Sequence, residues 1–317
     1  MPLNLVKSFI KEVQEDGLAS AVSLSLKTVF NSFHKFRIEL KSSFKYLRHG
    51  RSYLAEINGY KMLLDLEPFS ENFEEKKIAL KGFWDKETTY LLSEVLKNMV
   101  GSGKKPVFCD IGANTGYYTL LAADILGSDG KVFSVEPHPD NISKIRENIG
   151  LNGFENIEVV PKAVGNSESS LFLSVSSNSA YHEPLATGKD KLKHLDKIEV
   201  EQVKVDKLLE ESTKGDNPLV LKIDVQGYES EVLKGSKEVL ESGKDIIVFI
   251  ELHERPGNPA DKSLKFLEKN GFKPSYMEKK GEITSVDSFE DIPRTYIHVV
   301  LDNFNEDKKD LPYPSKV

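Results

Sequence analysis

Residues 107–118 read VFCDIGANTGYY. An apolar run ends in the carboxylate of Asp110, and Gly112 and Gly116 follow at a spacing of four. Glycines with no Cβ let backbone come close to a ligand at such a corner. Asn114 stands between them. A dinucleotide site favours G-x-G-x-x-G, so that a pyrophosphate can rest on a helix N-terminus. Here the middle glycine is absent, and Asp110 sets negative charge beside any phosphate. The corner suits a ligand with cationic groups. Twenty residues after Gly116, the run 131-KVFSVEP-137 ends near Glu136, placed to accept both hydroxyls of a ribose. Ala163, in PKAVG, leaves room for an adenine ring.

An adenosyl ligand that is cationic and lacks phosphate is S-adenosylmethionine, whose chemistry is methyl transfer. Transfer to an alcohol requires removal of the acceptor's proton, so a base near the methyl helps. Asp224, ending PLVLKIDV, is the first candidate, and His253, after DIIVFIEL, the second. Lys222 shares a strand face with Asp224, and a lysine in an apolar run needs an acidic partner: Asp110, Asp224 or Glu251. Asp224, Glu251 and His253 have the donor types of a divalent-cation site, but this reading assigns no metal. In the interrupted stretch further on, Tyr181 and His182 are candidates for acceptor contact. An NAD-dependent oxidoreductase is the rival enzyme, since Glu136 serves either nucleotide. A non-catalytic, membrane-peripheral scaffold is the rival from another class.

The segments DIGANTGYYTLLA, VFSVEPHPDN, PKAVG, LKIDVQGYESEVLKG and VFIELHE, preceded by GFWDKETTYLL, resemble the FkbM family of S-adenosylmethionine-dependent methyltransferases. The resemblance runs from about Gly82 to Asn303. It implies a class I methyltransferase fold: a Rossmann-like, seven-stranded, mostly parallel α/β sheet with helices on both faces and one reversed strand, TYIHVVLD. It also implies O-methylation of a sugar, glycan or natural-product-like hydroxyl. Family members often carry glutamate where this chain has Gln226, so position 226 receives no catalytic role.

The elements that must hold these residues follow from periodicity. Short apolar runs alternate with amphipathic stretches from residue 101 onward, as a parallel sheet covered on both faces requires. Strands are expected at VFCDIG, KVFSVEP, IEVVPKAVG, PLVLKIDV, DIIVFIEL and TYIHVVLD. Helices are expected over 85–99, 117–125, 140–149, 229–241 and 261–270. SYLAEINGYKMLLDL reads as a hairpin about Asn58-Gly59. The pattern breaks over 166–204, where SLFLSVS and IEVEQVKV can pair as an insertion. The organisation is thus an N-terminal basic helical segment 1–51, a methyltransferase domain 52–302 (lead-in 52–100, core 101–302) and a disordered tail 303–317.

Residues 17–51 hold seven Lys or Arg against one acid, Glu39, and Val22, Leu26, Val29, Phe33, Phe36 and Leu40 recur at helical spacing, with Phe44 and Leu47 beyond. Three readings compete: the stripe packs on the catalytic domain or on a second copy as a homodimer, it lies on an anionic membrane surface through 18–51, or the segment is a flexible targeting stretch. The net charge of −7 excludes a general nucleic-acid surface. The lone cysteine, Cys109, excludes an intrachain disulfide and points to a reduced, cytoplasmic compartment, with peripheral membrane contact the variant of that reading.

Overall fold

Short, largely apolar runs of this sequence become the strands of one central sheet. A computed structural model describes residues 34–35, 37–48, 50–68, 73–174, 197–212, 214–253, 260–277, 283–286, 288–289, 292 and 298–303. Tyr181, His182 and the tail beyond 303 lie outside the described residues.

In chain order the elements are α1 (37–48), β1 (Ser52–Ile57), β2 (Tyr60–Asp65), α2 (Phe73–Lys81), α3 (Lys86–Gly101), β3 (Val107–Ile111), α4 (Tyr117–Leu126), β4 (Lys131–Val135), α5 (Pro139–Asn152), β5 (Ile157–Val160), β6 (Ala163–Val164), β7 (Ser169–Ser174) and β8 (Lys197–Val203). Then come α6 (Val205–Leu208), β9 (Leu219–Ile223), α7 (Glu229–Lys234), α8 (Lys237–Leu240), β10 (Ile246–Glu251), α9 (Ala260–Lys269), β11 (Lys273–Met277), β12 (Ile283–Ser285) and β13 (His298–Asp302). The main sheet has the order β12-β11-β13-β10-β9-β3-β4-β5. Its five strands β5-β4-β3-β9-β10 are parallel. β13 runs antiparallel to both β10 and β11. The reversed strand is where the resemblance placed it. The strand number differs: β12 folds back on β11 as an antiparallel edge, giving eight strands in this sheet rather than seven.

The sheet's order reverses between β3 and β9, and ligands bind beyond the carboxyl ends of strands at such a switch point. β3 and β9 are buried at every residue, as strands covered on both faces must be. Their parallel register sets Asp110 opposite Lys222.

Two expected elements are divided. IEVVPKAVG breaks at Pro161, which lacks the N–H that a ladder needs. β5 stays in the main sheet, and β6 joins β8 and β7 in a separate three-stranded sheet. The two segments expected to pair within the insertion, β7 and β8, do pair, and they run antiparallel. The helix 229–241 breaks at Gly235 into α7 and α8. A Cβ there would lie 1.9 Å from the Gly165 carbonyl oxygen, so backbone from the β6 end occupies the space a side chain would need.

The chain divides into two compact units, residues 1–53 with 64–81 and residues 54–63 with 82–317. Within the first, α1 turns Ile38 and Ser42 inward, and the buried Lys76 ammonium of α2 donates to both Glu39 oxygens at 2.9 Å. The second holds the main sheet.

Candidate active site

β3 delivers Asp110 to the switch point with no solvent exposure. Thr119, one turn into α4, donates to its Oδ2 at 2.8 Å, and the Ser134 hydroxyl of β4 lies 2.9 Å from Thr119. The other oxygen, Oδ1, accepts no hydrogen bond and lies 3.9 Å from Lys222 Nζ. Burial raises the Asp110 carboxyl above its usual range, against the pull of Lys222 and Thr119.

The loop after Asp110 is held by the end of β4. Gly112 and Ala113 both donate to the Val135 carbonyl, at 2.9 and 3.1 Å, and Gly116 donates to Ala113. Asn114, in the left-handed region at φ 51°, donates its N–H to Glu136 Oε2 at 2.9 Å. The amides of 112, 113, 114 and 116 are thus all occupied within the protein, and no phosphate cradle is left among them. Gly112 is required by the strands themselves: at φ +82°, a Cβ would sit 1.9 Å from the Asp224 carbonyl oxygen. A Cβ on Gly116, at φ +89°, would press Ile145 Cγ1 at 3.2 Å.

Glu136 is 5% exposed. Its Oε1 accepts from the His138 N–H at 2.9 Å and from Asn141 Nδ2 at 3.3 Å. Burial pushes its carboxyl up to about 7, even against those hydrogen bonds. Ala163 is buried in β6, in the smaller sheet.

Beyond β9 and β10 a second group of charges gathers. Lys222 Nζ lies 3.6 Å from Asp224 Oδ2 and 4.8 Å from the centre of the Tyr118 ring. Gln226, at φ 53°, donates its amide to Asp224 Oδ1 at 2.9 Å. Burial first and the neighbouring Glu251 second push Asp224 up to about 6. Glu229, almost fully buried in the first turn of α7, accepts from the Gly227 N–H at 2.8 Å and meets His253 Nδ1 at 2.9 Å. His253 Nε2 is 3.5 Å from Glu251. Burial disfavours charge on His253, but the bonds to Glu229 and Glu251 outweigh it and hold the imidazole at about 10. Asp224, Glu251 and His253 bring ligand atoms within 4.8 Å of one another, as a divalent cation would need. The proton on His253 and the nearby Lys222 ammonium already counter those acids.

All eight residues singled out from the sequence as catalytic or cofactor-binding are among those described. Asp110, Gly112, Asn114, Gly116 and Glu136 form one connected loop around the ends of β3 and β4. Asp224 and His253 lie with Glu251 and Lys222 at the ends of β9 and β10. Thr119, Ser134, Tyr118 and Glu229 were not singled out. Glu229 stood within the quoted YESEVL, where an acid in a first helical turn reads as a complement to the dipole.

The residues present fit S-adenosylmethionine. Two buried carboxylates stand at the carboxyl ends of adjacent strands, one oxygen of Asp110 accepts no hydrogen bond, and the amides of 112, 113, 114 and 116 present no anion cradle. A model of the methyltransferase FkbM domain matches residues 110–274, just over half of the chain. The chain belongs to the FkbM methyltransferase family. It is an S-adenosylmethionine-dependent methyltransferase, not an oxidoreductase.

The hexuronic acid methyltransferase AglP of Haloferax volcanii is 28% identical over 200 residues, which cover 62% of this chain and 73% of that protein. A protein-L-isoaspartate O-methyltransferase of Methanococcus maripaludis is 33% identical over 51 residues, 16% of this chain and 24% of that one. Among solved structures, an FkbM methyltransferase of Methylobacillus flagellatus aligns with 14% identity and a TM-score of 0.38, covering 63% of this chain and 43% of that chain.

Proposed function

We propose that this FkbM-family enzyme methylates a hydroxyl oxygen on a sugar or glycan-like acceptor, with Asp224 as the base. Asp110 and the loop from Gly112 to Gly116 would receive the methionine end of S-adenosylmethionine, Glu136 its ribose, and Ala163 would lie toward its adenine. When bound, that cofactor supplies an electrophilic methyl group on a sulfonium.

The observation that carries the proposal is the setting of Asp224. Gln226 donates to one of its oxygens and Lys222 faces the other, so the carboxylate is held at the end of β9, the strand beside the one that carries Asp110. Its carboxyl, pushed up to about 6, is ionised at neutral pH yet more basic than an ordinary aspartate. His253, raised to about 10, keeps its proton at neutral pH and suits the role of a charged donor better than that of a base. The surrounding acids, Glu229, Glu251 and Asp110, disfavour a carboxylate acceptor at the transferring point and favour a neutral hydroxyl. The naming of a relative for hexuronic acid supports a sugar-type acceptor.

The test is a methyl-labelled cofactor offered with a panel of monosaccharides, uronic acids and glycans, the label being located in the product. Label on a hydroxyl oxygen is expected. Label confined to amines or to carboxyl esters would sink the hydroxyl reading. With an acceptor in hand, Asp224→Asn is expected to slow turnover by ~10²–10⁴-fold while leaving S-adenosylhomocysteine binding nearly intact. The wild-type rate is expected to rise with pH through about 6, following ionisation of Asp224. An Asp224→Asn enzyme with ordinary turnover would remove the base from Asp224.

A further inference from the structure

α1 buries one face and leaves the opposite face bare. Ile38 and Ser42 point inward at 4% and 0% exposure, while Leu40, Phe44 and Leu47 stand out at 49%, 66% and 78%. Positions i, i+4 and i+7 form one line along a helix, so the three outward side chains make a continuous apolar stripe. An exposed stripe of large apolar residues marks a surface that meets something else.

Charge says what that is. Arg37, Lys41 and Arg48 are all exposed and fall at i, i+4 and i+11, which sets them in a row along one edge of the stripe. The one acid between Gly17 and Arg51, Glu39, is turned away and bound by the buried Lys76. Not every nearby cation is available. Lys45 donates to the Ala79 carbonyl at 2.5 Å and to the Tyr53 hydroxyl at 3.1 Å, and Arg51 pairs with Asp65 and Glu67. The basic row is therefore selectively on the outward side. It belongs to a chain whose net charge is −7, so this local excess runs against the charge of the whole.

We propose that α1 lies on an anionic lipid surface, with Leu40, Phe44 and Leu47 in the boundary between headgroups and acyl chains and Arg37, Lys41 and Arg48 among the headgroups. An apolar line with a basic border is the pattern of an interfacial helix. Each basic residue near such a surface contributes attraction that falls off within a Debye length. The proposal is independent of the acceptor and of the residues that perform methyl transfer.

The test is co-sedimentation of the full chain with vesicles of phosphatidylcholine alone or of phosphatidylcholine with phosphatidylserine, at low and high salt. The full chain is expected to pellet with the serine-containing vesicles at low salt and to be released at high salt. Replacing Leu40, Phe44 and Leu47 together by Ser, or Arg37, Lys41 and Arg48 together by Ser, is expected to weaken partitioning at least about tenfold. Both sets are exposed, so vesicle-free thermal midpoints should stay near wild type. Should either triple variant fail to fold, Phe44→Trp gives a second reading: its emission, compared with the wild type that contains Trp84 alone, should shift to the blue on adding anionic vesicles. Wild-type protein left in the supernatant overturns the proposal, as does pelleting unchanged in both variants. It is equally overturned if light scattering finds a dimer that the triple apolar variant dissociates, since a second copy would then cover the stripe.

Discussion

Glu136 is asked to be both a structural knot and a ligand acceptor. Three protein donors already reach its carboxylate, two at Oε1 and one at Oε2. A carboxylate offers about four lone-pair positions, so capacity remains for ribose hydroxyls. Protonation turns one of those acceptor positions into a donor, and burial holds this group at about 7. S-adenosylhomocysteine affinity is therefore expected to fall as pH drops from 8 to 6, and Glu136→Gln should remove most of that dependence. Asp110→Asn is expected to weaken the same binding by ~1–3 kcal/mol, the scale of a hydrogen bond to a charged group. Calorimetry across pH reads both, and affinity unchanged in the two variants would place the cofactor elsewhere. The place of these two acids at the ends of adjacent strands was legible in the sequence, because each closes an apolar run. Thr119 and Ser134 were not, because Thr119 reaches Asp110 from a helix and Ser134 reaches Thr119 from a neighbouring strand, which no local spacing encodes.

At the scale of elements, the glycine of the ligand loop turns out to serve the sheet first. Sequence reasoning gave Gly112 to close approach of a ligand, whereas its missing Cβ makes room for the Asp224 carbonyl oxygen. The loops after β3 and β9 are thereby locked together, and Asp110 and Asp224 ride on the two sides of that contact. Gly112→Ala is expected to destabilise the fold by at least ~2 kcal/mol, from a strained positive φ and a backbone clash. Gly150→Ala, in an exposed position of α5 where a Cβ meets nothing, should instead add ~0.5–1 kcal/mol. Urea midpoints of the two variants make the comparison, and equal effects would deny the lock. The parallel strands were readable because burial on both faces leaves unbroken apolar runs. β11 and β12 went unread: KPSYM contains Pro274, which argues against a strand, and only pairing with β13 places it in the sheet. The split at Gly235 was equally hidden, since it is caused by backbone seventy residues earlier in the chain.

Across the whole molecule, the carboxyl ends of the parallel strands concentrate acid: Asp110 from β3 and Glu136 after β4, both buried, and Asp224 after β9 and Glu251 from β10, both half-buried, with the buried Glu229 close by. Lys222 and His253 oppose them. The sequence showed each acid at a strand end, but their sum became visible only when the strand order brought the ends together. Such a site is poised for a cationic ligand, and without one its acids repel one another as pH rises. The sign follows from Glu136. Its proton is held in the fold up to about 7, against 4.5 for an ordinary glutamate, so the folded state binds that proton more tightly. The resulting stability is fully present below 4.5 and lost as pH rises through 7, an amount of about 3 kcal/mol on the scale of 1.36 kcal/mol per unit. Asp224, raised from 3.8 to about 6, acts in the same direction over a lower window, and His253, raised from 6.5 to about 10, over a higher one. The unliganded enzyme is thus expected to lose urea resistance between pH 5 and pH 8. Glu136→Gln, whatever its stability at one pH, should show a shallower loss over that interval, because its side chain has no proton to release. Parallel pH profiles for wild type and Glu136→Gln would mean that this carboxylate is ionised throughout, and that the fold supplies it with more compensation than Asn114, His138 and Asn141 provide.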